Sequence, residues 1–348
     1  MNANEKQPDG LSKPLLPIAF FCDAALTVEK ARVAAQVRLA HLERRGRKDC
    51  HIEEFLGRIR DTEEFVDRKL EEWVVQHPTA TWWRYGRDGD YGIKGAGTEA
   101  IGKVIGLIEA FGRFYPVGDP MIPPYVRREP VAGHDGKLWV WVEGIERLTT
   151  PSKLWKYAGL DPEARRRSGA KLGFNIQLKT MLFRLMTSFM RQRNKYYQEY
   201  LRYRDWKRDQ LGVEGVRTRP TPGGRYCPVC QQEVDVPAST RYCPVCGERL
   251  GKKEEPSGVL WEGHLDFMAR RRAIKLFLAH LWVVWREALG LPVPKPYAVE
   301  HGGHSMVISP WEMCDQQPSE VAATSQRASR SRREAHRVRA SHGKTKPD

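Results

Sequence analysis

The sequence has no uncharged apolar run of about 18 residues, the length that a membrane-spanning helix needs. The segment from Met1 to Lys13 is polar, contains Glu5 and Asp9, and has no apolar core of the kind that marks a secretory signal peptide. The chain has 348 residues, 41% of them hydrophobic and 11 of them Trp, so it can still bury the cores of about two ordinary domains. These features predict a cytoplasmic protein without a membrane partner.

The sequence also lacks the even, regularly spaced cysteines of a disulfide framework. It has 7 Cys, an odd number, and Cys22, Cys50 and Cys314 are scattered along the chain. Because such a distribution suits a reducing compartment, we expect no disulfides.

The other four cysteines form two copies of Cys-Pro-Val-Cys, at Cys227 and Cys230 and at Cys243 and Cys246. The spacing Cys-x2-Cys-x12-Cys-x2-Cys brings two thiolate pairs together, and four thiolates suit the tetrahedral preference of Zn²⁺. With every position filled by sulfur, the metal has no open site for water, so the pattern predicts a structural zinc ion. An iron centre and a dithiol redox pair are the alternatives.

Acidic residues are scarce in two segments, and these segments carry the formal net charge of +15. From Arg165 to Gln210 there are 13 Lys or Arg and 3 acidic residues, and from Ser319 to Asp348 there are 8 and 3. A segregated positive field of this kind favours binding to nucleic acid, because Lys and Arg side chains on phosphates release condensed counterions. A solvated face with a solubilising tail is the alternative.

Hydrophobic periodicity and composition divide the chain into six segments. We expect a polar leader at 1–26, a helical hairpin at 27–90, a core at 91–215 with a β insertion at 112–143, a four-cysteine zinc module at 216–256, a C-terminal core helix and loop at 257–315, and a basic disordered tail at 316–348. In the hairpin, the predicted helices are Thr27–Arg45 and Ile52–His77, with a break near Asp61. The hairpin is either a packing unit or an arm for homo-oligomerisation.

Gly95 and Gly97 precede an apolar helical stretch from Thr98 to Phe111. Such a turn at a helix N-terminus can direct backbone amides at a phosphate, as in the helix-hairpin-helix class, or can simply connect two elements. We predict nucleic-acid contacts by this turn and by the basic residues that follow: Gly95, Gly97, Arg165, Arg166, Arg167, Lys171, Lys179, Arg191, Arg193 and Lys195.

Four further segments have patterns that predict local structure. Tyr125–Val131 and Lys137–Val142 alternate like the strands of a β-hairpin. From Ser168 a long helical region runs to about Leu211, and its aromatic residues either stack on bases or pack in the core. The apolar spacing over Arg270–Leu291 predicts a buried helix. His301 and His304 flank two glycines in a loop that either holds a metal or packs on the core.

The stretch from Gly144 to Pro162 resembles the C-terminal domain of insertion-sequence transposases of the IS-one-ten type. The similarity is closest over Tyr157–Pro162, and Ser168-Gly169 and Gly173-Phe174-Asn175 resemble the Ser-Gly and Gly-Asn elements that follow in that family. The resemblance implies that Ser168 is the nucleophile on DNA and that the chain is encoded by a bacterium, an archaeon or a phage. The family's RuvC-like domain is not visible in this sequence, and a helix N-cap is the alternative role of Ser168.

The sequence thus predicts a mainly α fold: a helical hairpin, a helix-hairpin-helix-like core with a small β-hairpin insertion, and an inserted zinc-knuckle module with four cysteine ligands. The predicted function is DNA binding in mobile-element or phage DNA transactions, with RNA as another possible target. The alternative is a non-catalytic nucleic-acid-binding or protein-interaction scaffold stapled by structural zinc.

Overall fold

The computed structural model describes residues 11–86, 90–134, 136–162, 164, 169–212, 215–217, 224–227, 229–236, 240–250, 259–294 and 307–316. The predicted mainly helical fold is confirmed. The chain divides into two compact units, the first formed by Met1–Tyr196 with Ile274–Asp348 and the second by Tyr197–Ala273. In the described part of the chain, no helix has the length and apolarity that crossing a membrane requires.

The first two helices, α1 (Pro17–Glu43) and α2 (Cys50–Val74), pack against each other. Helix α1 begins inside the predicted polar leader, since Pro17 suits the first turn of a helix and Ile18 is buried. The predicted break near Asp61 is wrong, because α2 continues through it and Thr62 Oγ1 donates to the carbonyl oxygen of Arg58 within the helix.

Helix α4 (Thr98–Glu109) follows the short helix α3 (Ala80–Trp83) and lies at the centre of the first unit. Every residue from Ile101 to Ile108 is buried, and α4 packs against α1, α2 and a later helix, α7 (Ile176–Gln192). A Cβ on Gly106 would lie 2.5 Å from the Cβ of Cys22 on α1. Glycine therefore permits the close approach of α1 and α4.

A three-stranded antiparallel sheet has the order β1-β3-β2, formed by β1 (Arg113–Pro116), β2 (Val131–Ala132) and β3 (Leu138–Val142). The predicted hairpin is present as β2 and β3, but only Val131 of the predicted strand Tyr125–Val131 lies in β2, and β1 was missed. One physical reason is that Pro130 has no amide hydrogen to donate to a strand ladder. The sheet leads into α5 (Gly144–Arg147) and α6 (Pro151–Tyr157).

The long helix predicted from Ser168 to Leu211 is two helices, α7 and α8 (Lys195–Leu211). Asn175 caps α7 by accepting from the amide of Leu178, and the helix ends at Arg193, whose φ of +50° is left-handed. The predicted helix Arg270–Leu291 is α9 (Glu262–Ala288), which begins and ends earlier than expected.

The second unit contains two small sheets. Strands β4 (Val216–Arg217) and β7 (Leu260–Trp261) pair in parallel, whereas β5 (Gly224–Cys227) and β6 (Gln232–Asp235) form an antiparallel hairpin. In the first unit, Gln316 pairs with Gly92, so the first residue of the predicted disordered tail is part of the folded structure. The remainder of that tail and the loop with His301 and His304 lie outside the described residues.

Candidate functional site

The four cysteines of the repeated motif converge in the second unit, and all four Sγ atoms lie within 4.8 Å of one another. The Sγ atoms of Cys227 and Cys246 are 3.3 Å apart, and those of Cys230 and Cys243 are 4.0 Å apart. Four sulfurs around one Zn²⁺ at about 2.3 Å would be separated by about 3.8 Å. The donor set and its spacing therefore fit a tetrahedral thiophilic metal ion.

In each Cys-Pro-Val-Cys motif, a backbone amide is directed at the sulfur of the first cysteine. The amide of Cys230 donates to Cys227 Sγ at 3.3 Å, and the amide of Val245 donates to Cys243 Sγ at 3.4 Å. The residue after each second cysteine, Gln231 or Gly247, has a positive φ. Both halves of the repeat thus direct an amide at the first sulfur, from three residues on in one half and from two residues on in the other, and these amides stabilise sulfur in its charged form.

The thiols cannot all ionise without a cation, because four negative charges at these distances repel one another. The amide of Cys230 lowers the pKa of Cys227 to about 7, whereas hydrogen bonding with the sulfurs of Cys246 and Cys227 raises the pKa of Cys230 to about 12. A bound metal ion removes this conflict by replacing the protons. In the described ranges, this is the one group of three or more His, Cys, Asp or Glu side chains able to hold a metal.

The remaining cysteines have no part in this cluster. Cys22 and Cys314 are buried, and burial raises the pKa of each thiol to about 12. Cys50 is exposed at the start of α2. None of the seven cysteines is joined to another by a disulfide.

The predicted nucleic-acid contacts fall into three groups. Arg165, Arg166 and Arg167 lie outside the described residues, as does Ser168, the predicted nucleophile. Lys171 precedes α7 and Lys179 lies in its first turn, with its Nζ 4.9 Å from the centre of the Phe174 ring. Gly95, Gly97, Arg191, Arg193 and Lys195 belong to the other end of α7, about 18 Å away along the helix axis.

The glycine turn lies directly against the C-terminal end of α7. Ser188 Oγ on α7 donates to the carbonyl oxygen of Gly95 at 2.9 Å, and Asn194 Nδ2 donates to that of Lys94 at 2.7 Å. Gly95 has a φ of +83°, and a Cβ there would lie 3.0 Å from Ser188 Oγ. Glycine is therefore required at this position by both conformation and packing.

This contact joins the turn that leads into an open helix N-terminus to the end of α7 that carries two exposed cations. Gly97 is exposed and is the N-cap of α4, where no side chain accepts from the helix amides. Arg191 and Arg193 are exposed, and neither makes an ion pair within the part of the chain that the structure describes. We call Lys94, Gly97, Arg191 and Arg193 the turn–α7 surface.

Asp315 joins the two sides of this surface, and nothing in the local sequence marks it. Its carboxylate accepts from the amide of Lys94 at 2.9 Å and from the amide of Lys195 at 3.0 Å. Lys195 Nζ donates to the carbonyl oxygen of Glu312 at 2.8 Å, so this predicted contact residue is engaged within the protein. Exposed Glu99, in the first turn of α4, is neutralised by its ion pair with Lys103.

Aromatic residues at the start of α8 pack in the protein interior. Tyr196 is buried, its ring is stacked on Phe189, and its hydroxyl bonds His280 Nδ1 at 2.8 Å. Tyr200 is also buried and donates to Asp266 Oδ1. Trp206 near the other end is half exposed.

No protein-family model matches the chain, and neither a curated protein nor a solved structure matches it.

Proposed function

We propose that this chain is a DNA-binding protein whose four-cysteine module is stapled by structural zinc, and that it acts in the DNA transactions of a mobile element or phage. The observation that carries the proposal is the turn–α7 surface, where residues about a hundred positions apart in the sequence meet. Zinc is the proposed metal because all four potential ligands are cysteine sulfurs, a donor set that suits a closed tetrahedral zinc site.

The turn–α7 surface has the chemistry that a phosphate backbone requires. The first turn of α4 presents amide groups without an intrahelical acceptor, and the positive end of the helix dipole favours an anion there. Arg191 and Arg193 add two guanidinium groups, each suited to bidentate contact with phosphate. No base edge is needed for any of these contacts, so we expect affinity with little sequence preference.

The experiment that tests the proposal is a duplex-DNA titration by fluorescence anisotropy, with single-stranded DNA and RNA duplex as further targets. Arg191→Gln/Arg193→Gln is compared with Arg58→Gln/Arg60→Gln, which removes the same charge from exposed positions on α2. We expect weaker binding and a salt slope lower by about 1 for each lost phosphate contact in the first variant only. Equal affinity of the two variants at low salt would show that this surface does not bind DNA.

The resemblance to transposases raises the question of strand transfer by Ser168. A serine nucleophile needs a base or a metal to activate it, and the neighbouring Arg165, Arg166 and Arg167 supply positive charge without a base. We therefore propose binding rather than catalysis, and Ser168→Ala is expected to leave DNA affinity within about 1 kcal/mol of the parent. A covalent adduct on a nicked DNA substrate that disappears in Ser168→Ala would establish the transposase function instead.

A further inference from the structure

The first unit contains a cavity of about 350 Å³ between β1, the proline-rich segment that follows it, and the start of α6. This volume falls within the range of about 300–1,000 Å³ that small-molecule pockets occupy. Its walls combine aromatic, aliphatic and cationic side chains, among them Tyr115, Met121, Pro124, Tyr125, Arg147 and Lys153.

Arg147 gives the cavity a positive charge that the protein does not neutralise. Its guanidinium carbon lies 3.8 Å from the centre of the Phe111 ring and 5.4 Å from that of Tyr115, and Nη1 donates to the carbonyl oxygen of Phe111. Its Nε is buried without a hydrogen-bond partner, and burial lowers the pKa of the side chain. Among the described residues no carboxylate pairs with Arg147, so an anion would lower the free energy of this site.

Two more cations lie nearby, and the acidic neighbours have other partners. Lys153 is exposed on α6 and lines the cavity, and Arg113 lies 5.7 Å from the centre of the Tyr115 ring. Glu143 and Glu146 are both bonded to Arg128 at 2.6 Å. Asp119 is held by the amide of Met121, from which its Oδ1 accepts at 2.7 Å. The field in the cavity is therefore cationic.

The apolar part of the wall is rigid. The hydroxyl of Tyr125 donates to the carbonyl oxygen of Glu146 at 2.8 Å, and the guanidinium of Arg286 lies 5.0 Å from the centre of its ring. Arg286 is buried and donates to the carbonyl oxygens of Ile145 and Pro292, which fixes it in turn. Prolines at 120, 123 and 124 restrict the backbone of the segment that forms the opposite lining. A flat apolar ligand therefore meets a wall that needs no ordering on binding.

We propose that this cavity binds one nucleotide, with its phosphate on Arg147 and Lys153 and its base against the tyrosine and proline wall. A bare phosphate would leave the apolar wall unused, and an uncharged nucleoside would leave Arg147 without a counter-ion. The nucleotide is either free or an unstacked unit of a single strand. This site deepens the proposed function, but binding of a free nucleotide requires no affinity for duplex DNA.

The test is calorimetric titration of the full chain with deoxyadenosine monophosphate, deoxyadenosine, and inorganic phosphate. We expect the monophosphate to bind at least about tenfold more tightly than either of the other two, as one charge-assisted hydrogen bond implies. Lys153→Gln should weaken monophosphate binding about tenfold, whereas Lys156→Gln on the same helix, α6, should not. Both lysines are exposed, so neither change is expected to impair folding.

Undetectable monophosphate binding, affinity no better than that of phosphate, or equal effects of the two lysine variants would each overturn the proposal. A competition between the monophosphate and a short single-stranded oligonucleotide identifies the source, because displacement shows that the site takes a unit of a strand. Duplex binding measured on the same samples separates this inference from the proposed function. Loss of duplex binding in Arg191→Gln/Arg193→Gln, with monophosphate binding retained, is the expected combination.

Discussion

At the scale of single residues, Glu109 is a partly buried carboxyl group whose charge opposes folding. Burial raises its pKa to about 7, and its carboxylate accepts from the amide of Ala19 at the start of α1. His77 and Glu143 line the same cavity of about 190 Å³, and burial lowers the pKa of His77 to about 4. The two groups, Glu109 and His77, respond to pH in opposite directions.

The sign of the Glu109 effect follows from its raised pKa. The folded state holds the proton more tightly than the unfolded state, so the stabilisation is complete below about pH 4.5 and is lost as the pH rises to about 7. For His77 the folded state disfavours the proton, so stability is lost as the pH falls from 6.5 towards 4.

Glu109→Gln should therefore change the free energy of unfolding more favourably at pH 8 than at pH 4.5. The difference between the two pH values is expected to be on the order of 1–3 kcal/mol, because glutamine keeps an acceptor for Ala19 and removes the ionisable group. Denaturant unfolding of the parent and the variant at both pH values measures this difference. The His77 contribution cancels because His77 is present in both proteins. Glu54→Gln, at an exposed position on α2, is the control, and identical pH responses of the two variants would contradict the assignment.

The sequence revealed some site residues and concealed others. The four cysteines of the cluster are all identified by their spacing, because adjacent motif residues determine each knuckle. Asp315 and Arg147 could not be predicted, since their roles depend on segments that meet only in the folded chain. The glycine turn is intermediate: its sequence predicts a helix N-terminus but not the α7 contact that Gly95 makes.

At the scale of secondary structure, the packing of α4 depends on residues without side chains. Gly102 contacts Leu70 of α2, and Gly106 lies against Cys22 and the carbonyl oxygen of Ile18 on α1. A helix buried on all sides has no polar face to show its orientation, so its sequence identifies it as core without indicating its neighbours.

Gly106→Ala should destabilise the first unit by about 1–3 kcal/mol, because the new Cβ would lie 2.5 Å from Cys22 Cβ and 2.8 Å from the oxygen of Ile18. Gly57→Ala, at an exposed position on α2, is the matched control, because no heavy atom lies within 4 Å of the added Cβ. The control should stabilise by up to about 1 kcal/mol through helix propensity alone. Denaturant unfolding followed by Trp fluorescence distinguishes them, and a stabilising Gly106→Ala would show that α1 and α4 are not packed as described.

Helix boundaries were the least predictable feature at this scale. No glycine or proline marks the break at Arg193 and Asn194, which is stabilised by the Asn194 side chain on Lys94 and by Asp315 on Lys195. These partners are distant in sequence, so local propensity could not reveal the break. The break matters for the proposed function because Arg191 and Arg193 lie at the end of α7 that contacts the glycine turn.

At the scale of the whole molecule, the proposed metal and DNA sites belong to different units. The cysteine cluster lies in Tyr197–Ala273, whereas the turn–α7 surface lies in the first unit. From Arg165 to Tyr196 the sequence has nine Lys or Arg and no acidic residue, which concentrates positive charge on the first unit. The sequence placed the four cysteines in a segment of their own at 216–256, whereas the extension of the second unit into α8 and α9 was not predicted.

The most direct test of the account is the metal content of the purified chain, determined by elemental analysis and native mass spectrometry without added chelator. We predict one zinc ion per chain, retained in Cys50→Ser and lost in Cys230→Ser, because Cys230 is one of the four clustered cysteines and Cys50 is not. A chain that carries iron, no tightly bound metal, or zinc that persists in Cys230→Ser would contradict the account.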